Sequence, residues 1–148
     1  MKQVLLAAAA VLALTGCMKG GGDINHGGTV TLPGGASLSK QVPANLPDYV
    51  KVYQGATVTA VMDTPGKGGV LALAVNDPPE TVLTYYKQVA ADAKLTDAMD
   101  SWALSPNEPH TGAHVIMFSQ PGTHRSLSVS AEVKEGHTQI GLIYGPAA

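Results

Sequence analysis

The chain has 148 residues, of which 45% are apolar and 14% are charged, and its formal net charge is −2. This length fits one domain of ordinary size and is too short for two well-filled cores. The small net charge and the lack of a basic run argue against a nucleic-acid-binding protein. A single cysteine excludes an intrachain disulfide framework and a cysteine-cluster metal site.

Residues 1–16 have the pattern of an export signal. Lys2 precedes an apolar run of eleven residues, Val4–Leu14. This run is too short to cross the roughly 30 Å apolar core of a bilayer. It ends in Leu14-Thr15-Gly16-Cys17, which resembles the lipobox of exported bacterial lipoproteins. The resemblance implies cleavage after Gly16 and lipid attachment at Cys17, where two or three acyl chains such as palmitate would anchor the protein to a membrane.

An ordinary secretory signal with an incidental cysteine is the alternative interpretation. We favour the lipoprotein because it explains why the one cysteine lies at the cleavage site. Residue +2 is Met18 rather than aspartate, so the inner-membrane retention signal of enteric bacteria is missing. In a bacterium with two membranes this favours the outer membrane, with the domain facing the periplasm.

Residues 17–45 are predicted to be the acylated cysteine and a flexible Gly-rich tether. Seven glycines interrupt Met18–Val42, and no apolar period is maintained there. Such a segment buries too little surface to offset its ordering entropy. As a flexible coil, 25 residues would span about 25–30 Å. The tether would hold the following domain, residues 46–145, clear of the lipid headgroups.

The first elements predicted in this domain form a hairpin. After Leu46–Ala56, where apolar Val50 and Val52 alternate with other side chains, Thr57–Met62 and Val70–Val75 are rich in strand-forming residues. Asp63–Gly69 contains Pro-Gly and Gly-Gly pairs that supply a turn between them.

A helix is predicted next. Asp77 is expected at its N-cap, Pro78 at the first helical position and Glu80 at the third, where the side chain reaches back to the cap. One face of the helix is apolar, and we expect it to lie on a sheet with Tyr86 near the centre of the contact. The residues of that face are Val82, Leu83, Tyr85, Tyr86, Val89, Ala90 and Ala93.

A loop is predicted for Lys94–Gly112, because the apolar residues there are not regularly spaced and Pro106, Pro109 and Gly112 interrupt the segment. Asp92, Asp97 and Asp100 are interpreted as an exposed acidic helix end. The methionines Met62, Met99 and Met117 are expected in the core, too scattered for a copper site.

Three further strands are predicted at Ala113–Phe118, Ser126–Val133 and Thr138–Tyr144, separated by turns at Gln120–Thr123 and Glu135-Gly136. Ser126–Val133 alternates strictly between apolar and polar residues, as a half-buried antiparallel strand does. The predicted fold is therefore two-layer α+β, a single antiparallel sheet with one packed helix in the order β-β-α-β-β-β.

The polar face of Ser126–Val133 carries Ser126, Ser128 and Ser130. We interpret it as a solvent-facing surface. The alternative is a docking surface for a flat partner, because small hydroxyl side chains lose little entropy when they are covered.

The domain also resembles a group of small secreted or lipid-anchored prokaryotic domains. The resemblance is carried by Pro47-x-x-Val50-x-x-Tyr53-x-Gly55-Ala56, the hairpin, and Pro79-Glu80-x-Val82-x-x-Tyr85-Tyr86. The usual pattern has prolines at the positions of Lys51 and Gln54. The resemblance covers about residues 46–144 and implies the fold but no activity.

Histidines are the candidates for a reaction or metal centre: His26, His110, His114, His124 and His137. His110 and His114 are the weak metal candidates, with Glu108 or His124 as a third ligand if a loop brings them together. On one strand, residues four apart lie about 13 Å from each other, too far to share an ion.

The sequence has no motif for nucleophilic catalysis, so it predicts neither an enzyme nor a cofactor. The favoured function is a membrane-anchored envelope lipoprotein whose non-catalytic periplasmic domain binds a protein or has a structural role. The alternatives are a metal-binding or metal-buffering lipoprotein that uses His110 and His114, and an inhibitor of an exported hydrolase.

Overall fold

Antiparallel strands form one sheet in the computed structural model, which describes residues 28–102 and 112–146. Within these ranges the sheet has eight strands in the order β1-β2-β3-β4-β8-β7-β6-β5. The last strand of the chain therefore lies at the centre of the sheet, between β4 and β7. The elements are β1 (Val30–Thr31), β2 (Ser37–Ser39), β3 (Thr57–Thr64), β4 (Gly68–Val75), α1 (Pro79–Asp92), β5 (Thr96–Trp102), β6 (His114–Ser119), β7 (Ser126–Lys134) and β8 (His137–Tyr144).

The α+β class, with one antiparallel sheet and one packed helix, agrees with the prediction. The predicted order β-β-α-β-β-β is wrong, because β1, β2 and β5 add to the sheet. Strands β1 and β2 lie in residues 17–45, which were interpreted as tether. These two strands need no regular apolar pattern in their own sequence, because β2 hydrogen-bonds to β3, with Leu38 paired with Met62.

The loop predicted for Lys94–Gly112 is also wrong where β5 forms. Strand β5 is the outermost strand, and its residues 96–100 are exposed. Its pairing with β6 shifts register between Asp97 and Met99. An edge strand with a bulge shows neither a buried run nor a clean alternation. Residues 103–111 of the predicted loop lie outside the described residues.

One face of the sheet is covered by α1 and by residues 46–56. The alternation of β7 turns Leu127, Val129 and Ala131 into this core, as predicted. Tyr86 is fully buried beneath the helix, also as predicted. The residues of α1 and residues 46–56 that are buried in this layer are Tyr49, Val50, Tyr53, Val82, Leu83, Tyr86 and Ala90. No helix within the described ranges is long and apolar enough to span a membrane.

The helix begins one residue later than predicted. Its N-cap is Pro78, and no side chain caps it by a hydrogen bond. The carboxylate of Asp77 instead accepts a hydrogen bond of 2.7 Å from the Tyr53 hydroxyl. The carbonyl of Asp77 accepts another, of 2.6 Å, from the Thr138 hydroxyl. These two bonds attach the start of α1 to residues 46–56 and to β8.

The β3–β4 turn packs closely against the end of β8. Gly68 has φ +99°, and a Cβ there would lie 2.0 Å from the Tyr144 carbonyl oxygen. Gly66, in the same turn, has φ +73° but nothing within 4 Å of its Cβ position. Both positions favour glycine for conformational reasons, but only Gly68 is also required by the close approach of another strand.

We therefore predict that Gly68→Ala lowers the free energy of unfolding more than the matched control Gly66→Ala. The control introduces left-handed strain of about 1–2 kcal/mol. Gly68→Ala adds a steric overlap with backbone, which costs roughly 1–3 kcal/mol more. Urea denaturation of both variants measures the difference. Equal losses of stability would show that β8 does not approach the turn this closely.

Candidate functional site

The structure does not bring the predicted histidines together among the residues it describes. His26 and His110 lie outside the described residues, so the His110/His114 metal site stays a prediction. His114 lies on β6, and its Nε2 is 2.5 Å from Asp100 Oδ1. His124 is in the β6–β7 turn region, and His137 Nδ1 is 2.7 Å from Asn76 Oδ1. Residues 28–102 and 112–146 contain no group of three or more metal-ligating side chains.

Asp100 joins the edge strand to the helix. Its carboxylate contacts His114 and also accepts a hydrogen bond of 2.9 Å from Lys87 Nζ on α1. The hydrogen bond with His114, followed by that with Lys87, lowers the pKa of Asp100 below its usual value. The interpretation of Asp97 and Asp100 as part of an acidic helix end is wrong, because both lie in β5. The cluster has a structural role, since it fastens β5 to α1 and β6.

A cluster of tyrosines joins α1 to residues 46–56. The rings of Tyr53 and Tyr85 meet edge to face at 5.0 Å between centroids, and those of Tyr85 and Tyr86 at 5.1 Å. The Tyr86 hydroxyl donates to the Lys51 carbonyl at 2.9 Å, and burial raises its pKa. The hydrogen bond to Asp77 raises the pKa of Tyr53 to about 12. These hydroxyls are held protonated as structural donors.

A second contact group secures the C-terminal end of the described chain. The Arg125 guanidinium lies over the Tyr49 ring, 5.0 Å from its centroid, and donates a hydrogen bond of 2.7 Å to Asp48. The Tyr49 hydroxyl donates to the Gly145 carbonyl at 2.8 Å. Burial raises the pKa of Tyr49. Like the tyrosine cluster, this group stabilises the covered side of the sheet.

A shallow cavity of about 370 Å³ lies at the end of β4 and β8. Of its lining residues, His137 alone carries an ionisable side chain, and its Nδ1 contacts Asn76 Oδ1. The lining contains no carboxylate, amine or thiol. The lining residues are Gly55, Thr57, Ala74, Val75, Asn76 and His137.

The strongest candidate site is the side of the sheet that faces away from α1, here named the open face. Its most prominent feature is a row of side chains that runs across all eight strands in register, which we name the ridge. Met62, Met99, Met117 and Ile143 in this row are 39–58% exposed. The ridge consists of Val30, Leu38, Met62, Val70, Ile143, Ser128, Met117 and Met99.

The expectation that the three methionines are in the core is therefore wrong, since all three are exposed on the ridge. A row across strands depends on how the strands pair, and Met62, Met99 and Met117 lie far apart in the sequence. In the sequence, only the alternation of apolar and polar residues in β7 indicates this surface, and it identifies the serines but none of the methionines.

A second row runs beside the ridge and is made mostly of small residues, and we name it the groove. Gly141 leaves room in it for a neighbouring side chain, since a Cβ there would lie 2.6 Å from the Ser130 hydroxyl oxygen and would make that hydroxyl turn away. The groove consists of Ala60, Ala72, Gly141, Ser130, Val115 and Ser101. Neither row contains a charged residue. On β7 the charged residues Glu132 and Lys134 lie beyond the groove, towards the turn to β8.

Comparisons with protein-family models, with curated proteins and with solved structures found no match for this chain. The candidate site is therefore argued from the geometry of the open face. The resemblance to small secreted or lipid-anchored domains stays a prediction.

We predict that Asp77→Asn lowers the pKa of Tyr53 from about 12 towards 10, because the amide removes the negative charge that opposes ionisation. Absorbance at 295 nm, with Tyr53→Phe to assign the transition, measures this pKa. The matched control is Asp63→Asn, which acts on Tyr144 through a separate hydrogen bond.

The raised pKa of Tyr53 also has a consequence for stability. Above pH 10 the unfolded tyrosine loses its proton while the folded one keeps it until about pH 12. The contribution of Tyr53 is therefore complete below pH 10 and lost as the pH rises to about 12. An unchanged Tyr53 transition in Asp77→Asn would contradict the assigned hydrogen bond.

Proposed function

We propose that this protein is a lipid-anchored envelope lipoprotein whose non-catalytic domain binds a protein partner through the open face. The exposed, uncharged ridge is the observation that carries the proposal. Contiguous apolar surface with charge only at its margin is typical of interaction sites. Covering it releases about 25 cal/mol for each Å² of apolar surface removed from water.

The composition of the open face also favours docking on energetic grounds. Ser128 and Ser130 have short side chains and Ala72 and Gly141 almost none, so that covering them costs little side-chain entropy. The ridge supplies flexible methionines, which adapt to irregular surfaces. Of the two interpretations of the serine face, these features favour the docking surface over the merely solvated one.

The contacts of the covered side support a binding role rather than catalysis. Tyr53, Tyr86 and Asp100 all have hydrogen-bonded partners that belong to the fold. The Tyr86 bond joins α1 to residues 46–56, the Tyr53 bond joins residues 46–56 to Asp77, two residues before α1, and the Asp100 bond joins two neighbouring strands. Within the described ranges, these groups act as structural supports for a rigid sheet.

The proposed anchor also sets how far the open face stands from the membrane. Because β1 begins at Val30, residues 18–29 separate Cys17 from the sheet, fewer than the predicted tether. The predicted flexible tether, shortened to that length, would span about 17–21 Å. The domain would therefore be held near the headgroups, where its concentration relative to other anchored proteins is high.

The proposed binding surface predicts that Ile143→Lys prevents partner binding. Ile143 is 58% exposed at the middle of the ridge, so lysine leaves the fold stable but places an unpaired charge in the interface. The measurement is photo-crosslinking in intact cells, with a photoreactive amino acid in place of Met117. We expect a protein adduct from the unaltered ridge and its loss in Ile143→Lys.

The matched control is Val133→Lys, since Val133 is a similarly exposed β-branched residue, at 66%, whose pairing with Thr138 places it on the other side of the sheet. This variant should keep the adduct. Equal losses in both variants, or no adduct from Met117 at all, would contradict the proposed role of the open face.

The proposed anchor predicts that Cys17→Ala abolishes the incorporation of labelled palmitate and leaves the precursor uncleaved, because the thiol is the site of lipid attachment. Met18→Ala, one residue further on, is the control and should be labelled normally. Metabolic labelling followed by gel electrophoresis measures both. Normal labelling of Cys17→Ala would refute the lipoprotein interpretation.

A further inference from the structure

We propose that the partner of the open face is a second copy of this chain, bound face to face about a two-fold axis that runs across the strands. This inference rests on the proposed function, because it identifies what the binding surface binds. In this arrangement each strand crosses its own copy, and the ridge of one chain fits the groove of the other.

The spacing of the two rows makes the open face complementary to itself. On β3, β4 and β8 a large ridge residue lies two positions from a small groove residue, as Ile143 does from Gly141 and Val70 from Ala72. Two positions on a strand correspond to about 7 Å. A two-fold axis between the rows places Ile143 of one copy over Gly141 of the second copy, and the reverse, as an isologous interface requires.

The size of the open face is what a stable dimer needs. Eight strands at about 4.8 Å and some six residues at about 3.4 Å give a surface of roughly 800 Å². A standard interface buries about 800 Å² on each partner. Two sheets packed at the usual distance of about 10 Å would form a sandwich whose new core consists of the two ridges.

The charge distribution allows the same surface to meet itself. Because neither row carries a charge, face-to-face packing brings no like charges together and leaves none without a counter-ion. Glu132 and Lys134 lie beyond the groove, near the β7–β8 turn. A strongly charged partner would find no complementary group on the two rows.

The other surfaces of the sheet are less suited to a second copy. The opposite face is already covered by α1 and residues 46–56. Of the two edges, β1 has two residues. The other edge, β5, has a register shift and carries Asp97 and Asp100, and bulges and charges of this kind discourage strand addition.

The test is thiol crosslinking of the full chain in the membranes of cells that produce it. Met62→Cys on β3 and Met117→Cys on β6 each replace an exposed ridge residue, and a short bifunctional maleimide joins the two thiols of a dimer across the roughly 7 Å offset between the rows. Val133→Cys is the control for an exposed thiol on the other side of the sheet. The unaltered chain measures any reaction of Cys17.

We expect each ridge variant alone to give a covalent dimer, in roughly tenfold larger amount than Val133→Cys, because thiols held close together across an interface react at a high effective concentration. When Met62→Cys and Met117→Cys chains with different tags are produced in the same cells, we expect crosslinks between two Met62→Cys chains and between two Met117→Cys chains. We expect none between a Met62→Cys chain and a Met117→Cys chain. Strands β3 and β6 are four strands apart, roughly 19 Å.

Three results would overturn the dimer. The first is crosslinking of Met62→Cys chains to Met117→Cys chains that is as strong as crosslinking between two chains of the same variant. The second is a Val133→Cys dimer in the same amount as the ridge variants give, and the third is no dimer from either ridge variant. The Met117 photo-adduct separates this inference from the proposed function. An adduct with a different protein would overturn the dimer while the binding role of the open face stands, whereas no adduct would overturn both.

Discussion

The packing of α1 and residues 46–56 on one face of the sheet is the interaction on which the rest of the structure depends. Tyr86 is fully buried at its centre, and its hydroxyl bonds to the Lys51 carbonyl. Tyr53 connects the same layer to Asp77 at the start of the helix. These contacts satisfy the polar groups that burial would otherwise leave unpaired. Helix α1 is thereby held across the central strands.

A sheet has two faces, and one helix with one short segment can cover only one of them. The covered face receives the large apolar side chains of the alternating strands. The open face receives the residues between them, which are small on the groove and methionine-rich on the ridge. This division explains how a chain with an ordinary apolar content presents an uncharged ridge that crosses all eight described strands. It also connects the fold directly to the proposed binding role.

Local signals in the sequence were sufficient for the elements with a strong period. The alternation of β7 and the apolar face of α1 identified both elements, because a half-buried strand or helix must show its period in the sequence. The predicted N-cap at Asp77 is wrong, because the Asp77 carboxylate accepts a hydrogen bond from Tyr53, a residue 24 positions away. Strand β5 was missed because an exposed edge strand with a bulge has no such period. Strands β1 and β2 lie in a glycine-rich segment and, with two and three residues, are too short to show a period.

The sequence by itself determined the α+β class, the hairpin, the helix and its buried Tyr86, and the expectation of a lipid anchor at Cys17, because each depends on residues that are neighbours along the chain. Only the tertiary structure decided that Met62, Met117 and Met99 share one exposed row with Ile143. That row exists because the register of the central strands aligns residues from distant parts of the chain. Register is set by pairing between strands, and no single strand encodes it.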